Sequence, residues 1–208
     1  MRNNYFHRSL TAIAAGIFSL ALLAPISASA QAVRVDGIKV EMIEQKTPIY
    51  NVSGVTDKRT DSKTWLEFNV YFETQVKQTK ATAIDGLVAK FYLVLDNIAS
   101  KEEARTLVGE TKLLGVPANE KSATVLYLPP AAIEKITGSR SGAKAKFWGV
   151  EFLYNGVVVG RDTSSGSLEN PWWNSPKAYA AESGILKRKS QTPYAPLWGD
   201  FYASESED

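Results

Sequence analysis

The sequence has no cysteine, and its only histidine is His7. A chain without cysteine forms no disulfide, offers no thiol nucleophile and cannot hold haem through a thioether, so its core alone must stabilise it. Beyond His7 there is no imidazole for a catalytic triad and no histidine–cysteine set for zinc or copper. These absences exclude several common enzyme classes before any motif is considered.

The chain also has little excess charge, with 24 basic and 22 acidic residues. Residues 1–30 have the form of a secretory signal peptide: Arg2 and Arg8 precede an apolar stretch, and Ser27–Ala30 ends in the small-x-small pattern that signal peptidase accepts. Cleavage there removes two bases and no acid, so the mature chain is formally neutral. The segment predicts export through the Sec pathway to the periplasm, the outer cell surface or the medium. A retained membrane anchor is the alternative, because the apolar run is nearly long enough to span a bilayer.

The mature sequence lacks the motifs of several ligand sites. It contains no Gly-x-Gly-x-x-Gly, no Walker loop and no Asp-x-Asp-x-Asp-Gly loop, so nothing predicts nucleotide or calcium binding. The basic run Lys187–Lys189 is too short, in a neutral chain, to predict nucleic-acid binding. We therefore expect no metal, no cofactor, no nucleotide and no nucleic acid.

Apolar and polar residues alternate with a period of two, which predicts seven β-strands. A slip of this alternation at Gly37 predicts a β-bulge in the first strand, and Asn155–Gly156 predicts a type I′ turn between the last two strands. The predicted strands span residues 33–43, 64–74, 87–96, 105–116, 122–128, 145–154 and 157–163. Inward-facing residues of the second and sixth strands form the predicted core: Leu66, Phe68, Val70, Phe72, Trp148, Val150 and Phe152.

One short helix is predicted between the fifth and sixth strands. Pro129–Pro130 puts a proline at the helix start, where its missing N–H costs nothing, and Gly138 ends the helix. Seven short strands and one helix predict an all-β fold, an immunoglobulin-like antiparallel β-sandwich over residues 31–163.

Residues 164–208 differ from the rest of the chain. They are too aromatic for a disordered tail and too rich in proline for a helix, so we expect an extended segment that packs on the sandwich or on a partner. It is also a candidate cover for Trp65, which falls on the polar face of its strand. Adjacent Trp172 and Trp173 point opposite ways in an extended chain, so one should face solvent or a partner; the alternative is that both pack under the segment. The candidate contact residues are Trp172, Trp173, Tyr194 and Trp198.

Carboxylates alone could still form a glycosidase site. Glu67 and Glu73 share one strand face, but six residues at ~3.3 Å each place them roughly 20 Å apart, beyond the roughly 5 to 10 Å that an acid and its partner carboxylate require. The pattern supports no other pair, and we expect no enzymatic activity. The acids considered are Glu67, Glu73, Asp85, Asp96 and Glu151.

Three stretches carry a resemblance to a known family: residues 148–156, Asn170–Trp173 and residues 192–202. In them the sequence resembles the pilus-like, or type IV pilus-associated, immunoglobulin-fold exported proteins of Verrucomicrobia-type bacteria. The resemblance spans most of the mature chain, contains no catalytic signature, and implies a β-sandwich that takes part in a pilus-like assembly or a surface contact.

The sequence is not that of a filament-forming type IV pilin. Such pilins are cut before a long apolar helix with Glu at its fifth position, whereas here the predicted cut follows the apolar stretch and that Glu is absent. Two functions stay open: an accessory protein of a type IV pilus-like assembly or of cell-surface adhesion, which contacts protein partners or itself, and a carbohydrate- or mucin-binding module whose tryptophans stack on host glycans.

Overall fold

The computed structural model describes residues 33–50, 53–54, 62–77, 81–101 and 104–206. The signal peptide predicted for residues 1–30 lies outside this part of the chain. In chain order the strands are β1 Val33–Lys46, β2 Thr64–Val76, β3 Ala83–Ile84, β4 Leu87–Leu95, β5 Thr106–Leu114, β6 Val116–Pro117, β7 Lys121–Leu128, β8 Ala145–Tyr154, β9 Val157–Thr163, β10 Ala181–Ser183, β11 Lys187–Arg188 and β12 Ser204–Glu205. The seven long strands among them coincide with the seven predicted ones, and they are β1, β2, β4, β5, β7, β8 and β9.

Two sheets form the sandwich, and the all-β prediction is confirmed. The first sheet has the order β1-β2-β7-β11 and the second has the order β10-β5-β4-β8-β9, with β12 also pairing β5. All pairs are antiparallel except β10 with β5, which run parallel. In a constant-type immunoglobulin domain the fourth strand belongs to the sheet of the first, second and fifth. Here the fourth long strand, β5, pairs with the third, β4, in the other sheet.

The sandwich core lies between the inner faces of the two sheets. Six of the seven predicted core residues are fully buried there, and the seventh, Trp148, is half-buried against the same cluster. Alternation explains this burial, because every second residue of a strand points inward.

Three local predictions from glycine and proline are also confirmed. The β1–β2 register shifts between Asp36 and Lys39, where Gly37 has a φ of 59°. Asn155 and Gly156 both have positive φ in the β8–β9 turn. The single α-helix in the described ranges, α1, spans Pro130–Thr137 and ends where the N–H of Gly138 donates to the carbonyl oxygen of Glu134.

The two sheets approach each other closely where β9 passes β1. A Cβ atom on Gly160 would lie 2.5 Å from the backbone oxygen of Val35. Only glycine fits this approach without moving a strand.

Candidate functional site

The C-terminal segment, residues 164–206, covers the sheet edges on the side of the sandwich away from β1. β10 and β12 pair with the two ends of β5, and β11 pairs with β7. The N–H of Ala203 also donates to the carbonyl oxygen of Ala123 on β7, at 2.9 Å. Uncovered edges invite pairing with other chains, so the segment closes two of them within the molecule.

One aromatic cluster, called here the tyrosine cluster, joins this segment to the outer face of the first sheet. Tyr194 stacks flat on Tyr127 with ring centroids 4.7 Å apart, and Trp65 meets both rings edge-on. The Tyr194 hydroxyl donates to the carbonyl oxygen of Lys46 at 3.0 Å. Trp65 is therefore covered by the segment, as its position on the strand suggested.

Tyr194 does not have the contact role predicted for it. Only 1% of its surface is exposed. A ring stacked on Tyr127 and tied to Lys46 anchors the segment to its own sandwich and is not available to a glycan or a partner.

A buried acid lies beside the tyrosine cluster. Glu67 is 3% exposed and Asn69 is equally covered, although both lie on the face of β2 that a sandwich normally turns to water. The Tyr202 hydroxyl donates to Asn69 Oδ1 at 2.8 Å and to Glu67 Oε1 at 3.3 Å, and the Asn69 amide donates to the same carboxylate. Because a buried charge is costly unless hydrogen bonds satisfy it, these contacts tie the segment to β2.

The Glu67 carboxylate and the burial of the rings both affect the pKa of the neighbouring tyrosines. Burial first, and the Glu67 carboxylate second, raise the pKa of Tyr127, Tyr194 and Tyr202 well above the usual value of about 10. The neutral phenol is thus favoured in the folded state. The raised pKa values therefore contribute fully to the stability of the fold below about pH 10. This contribution is lost as the pH rises above that value, because the unfolded chain releases protons that the folded chain keeps.

Alkaline pH should therefore destabilise the protein steeply. We expect the free energy of unfolding, measured by urea denaturation from about pH 8 to about pH 11, to fall above about pH 10. Tyr194→Phe removes one of the phenols whose pKa is raised and should make the fall shallower. A free energy of unfolding that is constant over this range would contradict the assignment.

A second aromatic cluster covers the outer face of the second sheet. Trp173 stacks on Tyr92 with centroids 4.6 Å apart and planes 8° from parallel. A Cβ atom on Gly149 would lie 2.0 Å from the Trp173 ring, so glycine makes the space that the indole fills. Trp172 packs against Phe147 and meets Trp173 at nearly a right angle.

The expectation that Trp172 and Trp173 point to opposite sides fails. They occupy a short 3₁₀-helix, Trp172–Asn174, rather than an extended chain. Both are half-buried on the sandwich, which is the alternative of shared packing. The 3₁₀ turn turns both rings toward one surface, because successive residues there are separated by about a third of a turn and not by half.

The two buried acids among the described residues, Glu67 and Glu151, do not form a catalytic pair. Glu151 accepts from the Tyr92 hydroxyl at 3.0 Å and lies 3.4 Å from the Arg161 guanidinium, on the outer face of the second sheet. Glu67 lies on the outer face of the first sheet. Packed sheets are about 10 Å apart, and both carboxylates point away from the interface, so their separation exceeds that of glycosidase carboxylates.

Trp198 is the most exposed of the four predicted contact residues, at 44% of its surface. Its ring continues the stack of Tyr127 and Tyr194, 6.3 Å from Tyr194 and 14° from parallel. Its φ is 54°, a left-handed conformation that a bulky side chain rarely adopts. The sandwich thus supports one face of the indole and leaves the rest toward solvent.

Phe201 is a further exposed aromatic residue, which the sequence pattern does not single out. It is 52% exposed and meets Tyr71 edge-on beside an open groove of about 570 Å³, which β1, β2, β7 and the C-terminal segment enclose. No local signal distinguishes Phe201 from the buried aromatics around it, because its exposure depends on where the segment crosses the sheet. Trp198 and Phe201 together are called here the aromatic rim.

Within the described ranges, no cluster of three or more histidine, cysteine, aspartate or glutamate side chains is placed to hold a metal ion. No helix there has the length and apolar character needed to cross a membrane.

Comparisons with known proteins give a family and a fold relative. A protein-family model matches residues 26–208. The crystal structure of a protein from Akkermansia muciniphila superposes with a TM-score of 0.74 at 26% sequence identity, over 85% of this chain and 94% of that one. No curated protein matches the chain.

Proposed function

The chain belongs to the family whose model matches residues 26–208, and on that premise we propose that it is a non-enzymatic exported interaction protein, an accessory component of a type IV pilus-like assembly or of cell-surface adhesion. Protein partners of that assembly, or a second copy of the chain, are its ligands. The resemblance of residues 148–156 and 192–202 to pilus-associated proteins supports the pilus-like context.

The observation that carries the proposal is that the buried carboxylates have structural contacts. Glu67 and Glu151 are both buried, and each is held by a tyrosine hydroxyl. These groups position the C-terminal segment and the second sheet, and the sandwich keeps them apart. What the described residues offer outward is the aromatic rim and the outer edge of β1, which are means of adhesion.

Co-purification tests this function. Sheared surface fibres from the source bacterium should contain the protein, and Trp198→Ala with Phe201→Ala should reduce its share of the fibre fraction. Leu168→Ala is the matched control, because Leu168 is also strongly exposed but lies on a different loop. Recovery of the wild-type protein only in the fibre-free fraction would refute the assembly role.

Carbohydrate binding is the second candidate, and the exposed indole of Trp198 favours it. A tryptophan supported from behind by Tyr194 offers a flat face of the kind that stacks on a sugar ring. Trp172 and Trp173 are poorer platforms, since both are packed on the second sheet.

A glycan array decides between the two candidates. Mucin-type glycans should bind the wild-type protein and the Trp172→Ala variant, and Trp198→Ala should lose most of the signal. An array without signal for the folded wild-type protein would remove this candidate and leave the assembly role in place.

A further inference from the structure

The sheet edges are paired with further strands on only one of the two sides of the sandwich, among the described residues. On one side β10, β11 and β12 cover the edges of β5 and β7. On the other side β1 pairs with β2 from Val33 to Lys46, and no described strand pairs with its outer edge. A long uncovered edge is a ready template for another strand.

Part of this edge is unsuited to pairing. At its N-terminal end, before the bulge at Gly37, Val35 is in close contact with Gly160 of β9. Beyond the bulge, residues 38–42 regain regular pairing with β2. Their inward side chains, Ile38, Val40 and Met42, pack on the core but stay half-exposed, so an added strand would bury more of their apolar surface.

The outward side chains of the same stretch are charged. Lys39 and Glu41 lie on one face, next to Tyr71 and Asn69 of β2, and form an ion pair of 2.5 Å with each other within the chain. Consider two copies of β1 paired antiparallel. The numbers of any two residues opposite each other then add up to the same sum, which defines the register. The sum must be even, because only then do inward residues lie opposite inward residues.

Only one of these registers matches opposite charges. With Val40 opposite Val40, each Lys39 faces the Glu41 of the other copy, and each Ile38 faces a Met42. Moving the centre by one residue places Lys39 against Lys39 or Glu41 against Glu41, and like charges directly opposite are unfavourable. The stretch is thus self-complementary about Val40.

We propose that two copies of the chain pair antiparallel through residues 38–42 of β1, with Val40 on the two-fold axis, and so join their first sheets into one continuous sheet. The pairing buries Ile38, Val40 and Met42 and forms two symmetric Lys39–Glu41 contacts. This pairing makes a second copy of the chain one partner in the interaction role proposed above. It rests on that role only because both use the exposed edge of β1.

Charge reversal tests the pairing without touching the core. Both side chains are on the outer face, so Lys39→Glu and Glu41→Lys should fold, which circular dichroism and thermal unfolding check. The protein expressed from the full sequence should dimerise in sedimentation velocity runs as its concentration rises. Each single variant should dimerise about tenfold more weakly or worse, because two symmetric attractions become repulsions.

Mixing the variants separates this proposal from an effect within one chain. In a mixed pair, both charged contacts join a lysine to a glutamate again, so Lys39→Glu and Glu41→Lys should form a heterodimer that neither forms alone. The double variant should recover wild-type dimerisation. A monomeric wild-type protein, or a mixture that stays monomeric, would overturn the pairing; the assembly role would then still depend on the fibre co-purification.

Discussion

Replacing Tyr194 by alanine should lower the free energy of unfolding by about 3 to 5 kcal/mol, the usual cost of deleting a fully buried aromatic ring. The ring lies between Tyr127, Trp65 and Trp198, and no neighbour can move into the space without losing its own contacts. Without this ring the C-terminal segment is held less firmly over Glu67. Water then reaches the Glu67 carboxylate, which also loses its contact with the Tyr202 hydroxyl.

Urea denaturation and amide hydrogen exchange check this result. Exchange should rise most over residues 192–206. Tyr194→Phe is the graded control: it keeps the ring, loses the hydrogen bond to Lys46, and should cost about 1 kcal/mol. Phe201→Ala, at a half-exposed position, should cost less than Tyr194→Ala; an equal cost would show that the stack does not anchor the segment.

The contacts of Tyr194 and β12 make deletion of the C-terminal segment a poor test of its contact role. Deleting Pro193–Asp208 removes Tyr194 and β12, which pairs with β5. A truncation that abolishes assembly therefore does not distinguish loss of the fold from loss of the contact surface. Point changes in the aromatic rim avoid this problem.

Replacing Gly160 by alanine should lower the free energy of unfolding by about 1 to 3 kcal/mol, the cost of overpacking a closely packed site. The new Cβ would lie 2.5 Å from the backbone oxygen of Val35 and 2.7 Å from its Cβ. A backbone oxygen cannot rotate away as a side chain does, so β1 and β9 must separate.

Thermal and urea unfolding measure this effect. Gly199→Ala is the matched control, because no atom beyond its two chain neighbours lies within 4 Å of a Cβ built there and its backbone is not in the left-handed region. It should change stability little. If Gly160→Ala matched it, the close approach of the two sheets would not be tight in solution. Because Val35 precedes the pairing stretch of β1, the variant should also weaken dimerisation.

Local alternation was enough to locate the strands. Leu66, Phe68, Val70 and Phe72 specify an inward face whichever sheet β2 joins, because side chains alternate along any strand. Turn chemistry fixed the ends, as at Asn155–Gly156. Contacts along ten or fewer residues decide these features, so they can be predicted from the sequence.

The surface was less predictable than the strands. Tyr194 and Trp198 are four residues apart in one aromatic stretch, yet one is 1% and the other 44% exposed. The difference arises because Tyr194 meets Tyr127 and Lys46, which are distant in sequence. Similarly, Glu67 falls on a face that alternation assigns to water, and only the segment that crosses it makes it buried.

The sequence by itself determined the strands, the bulge at Gly37, the helix after Pro129, and the lack of cysteine and, beyond His7, of histidine. The tertiary structure alone decided which strands share a sheet, which edges the C-terminal segment covers, and that no described strand pairs with the outer edge of β1. The reason is physical: strand formation depends on near neighbours, whereas sheet order and exposure depend on contacts between distant parts of the chain.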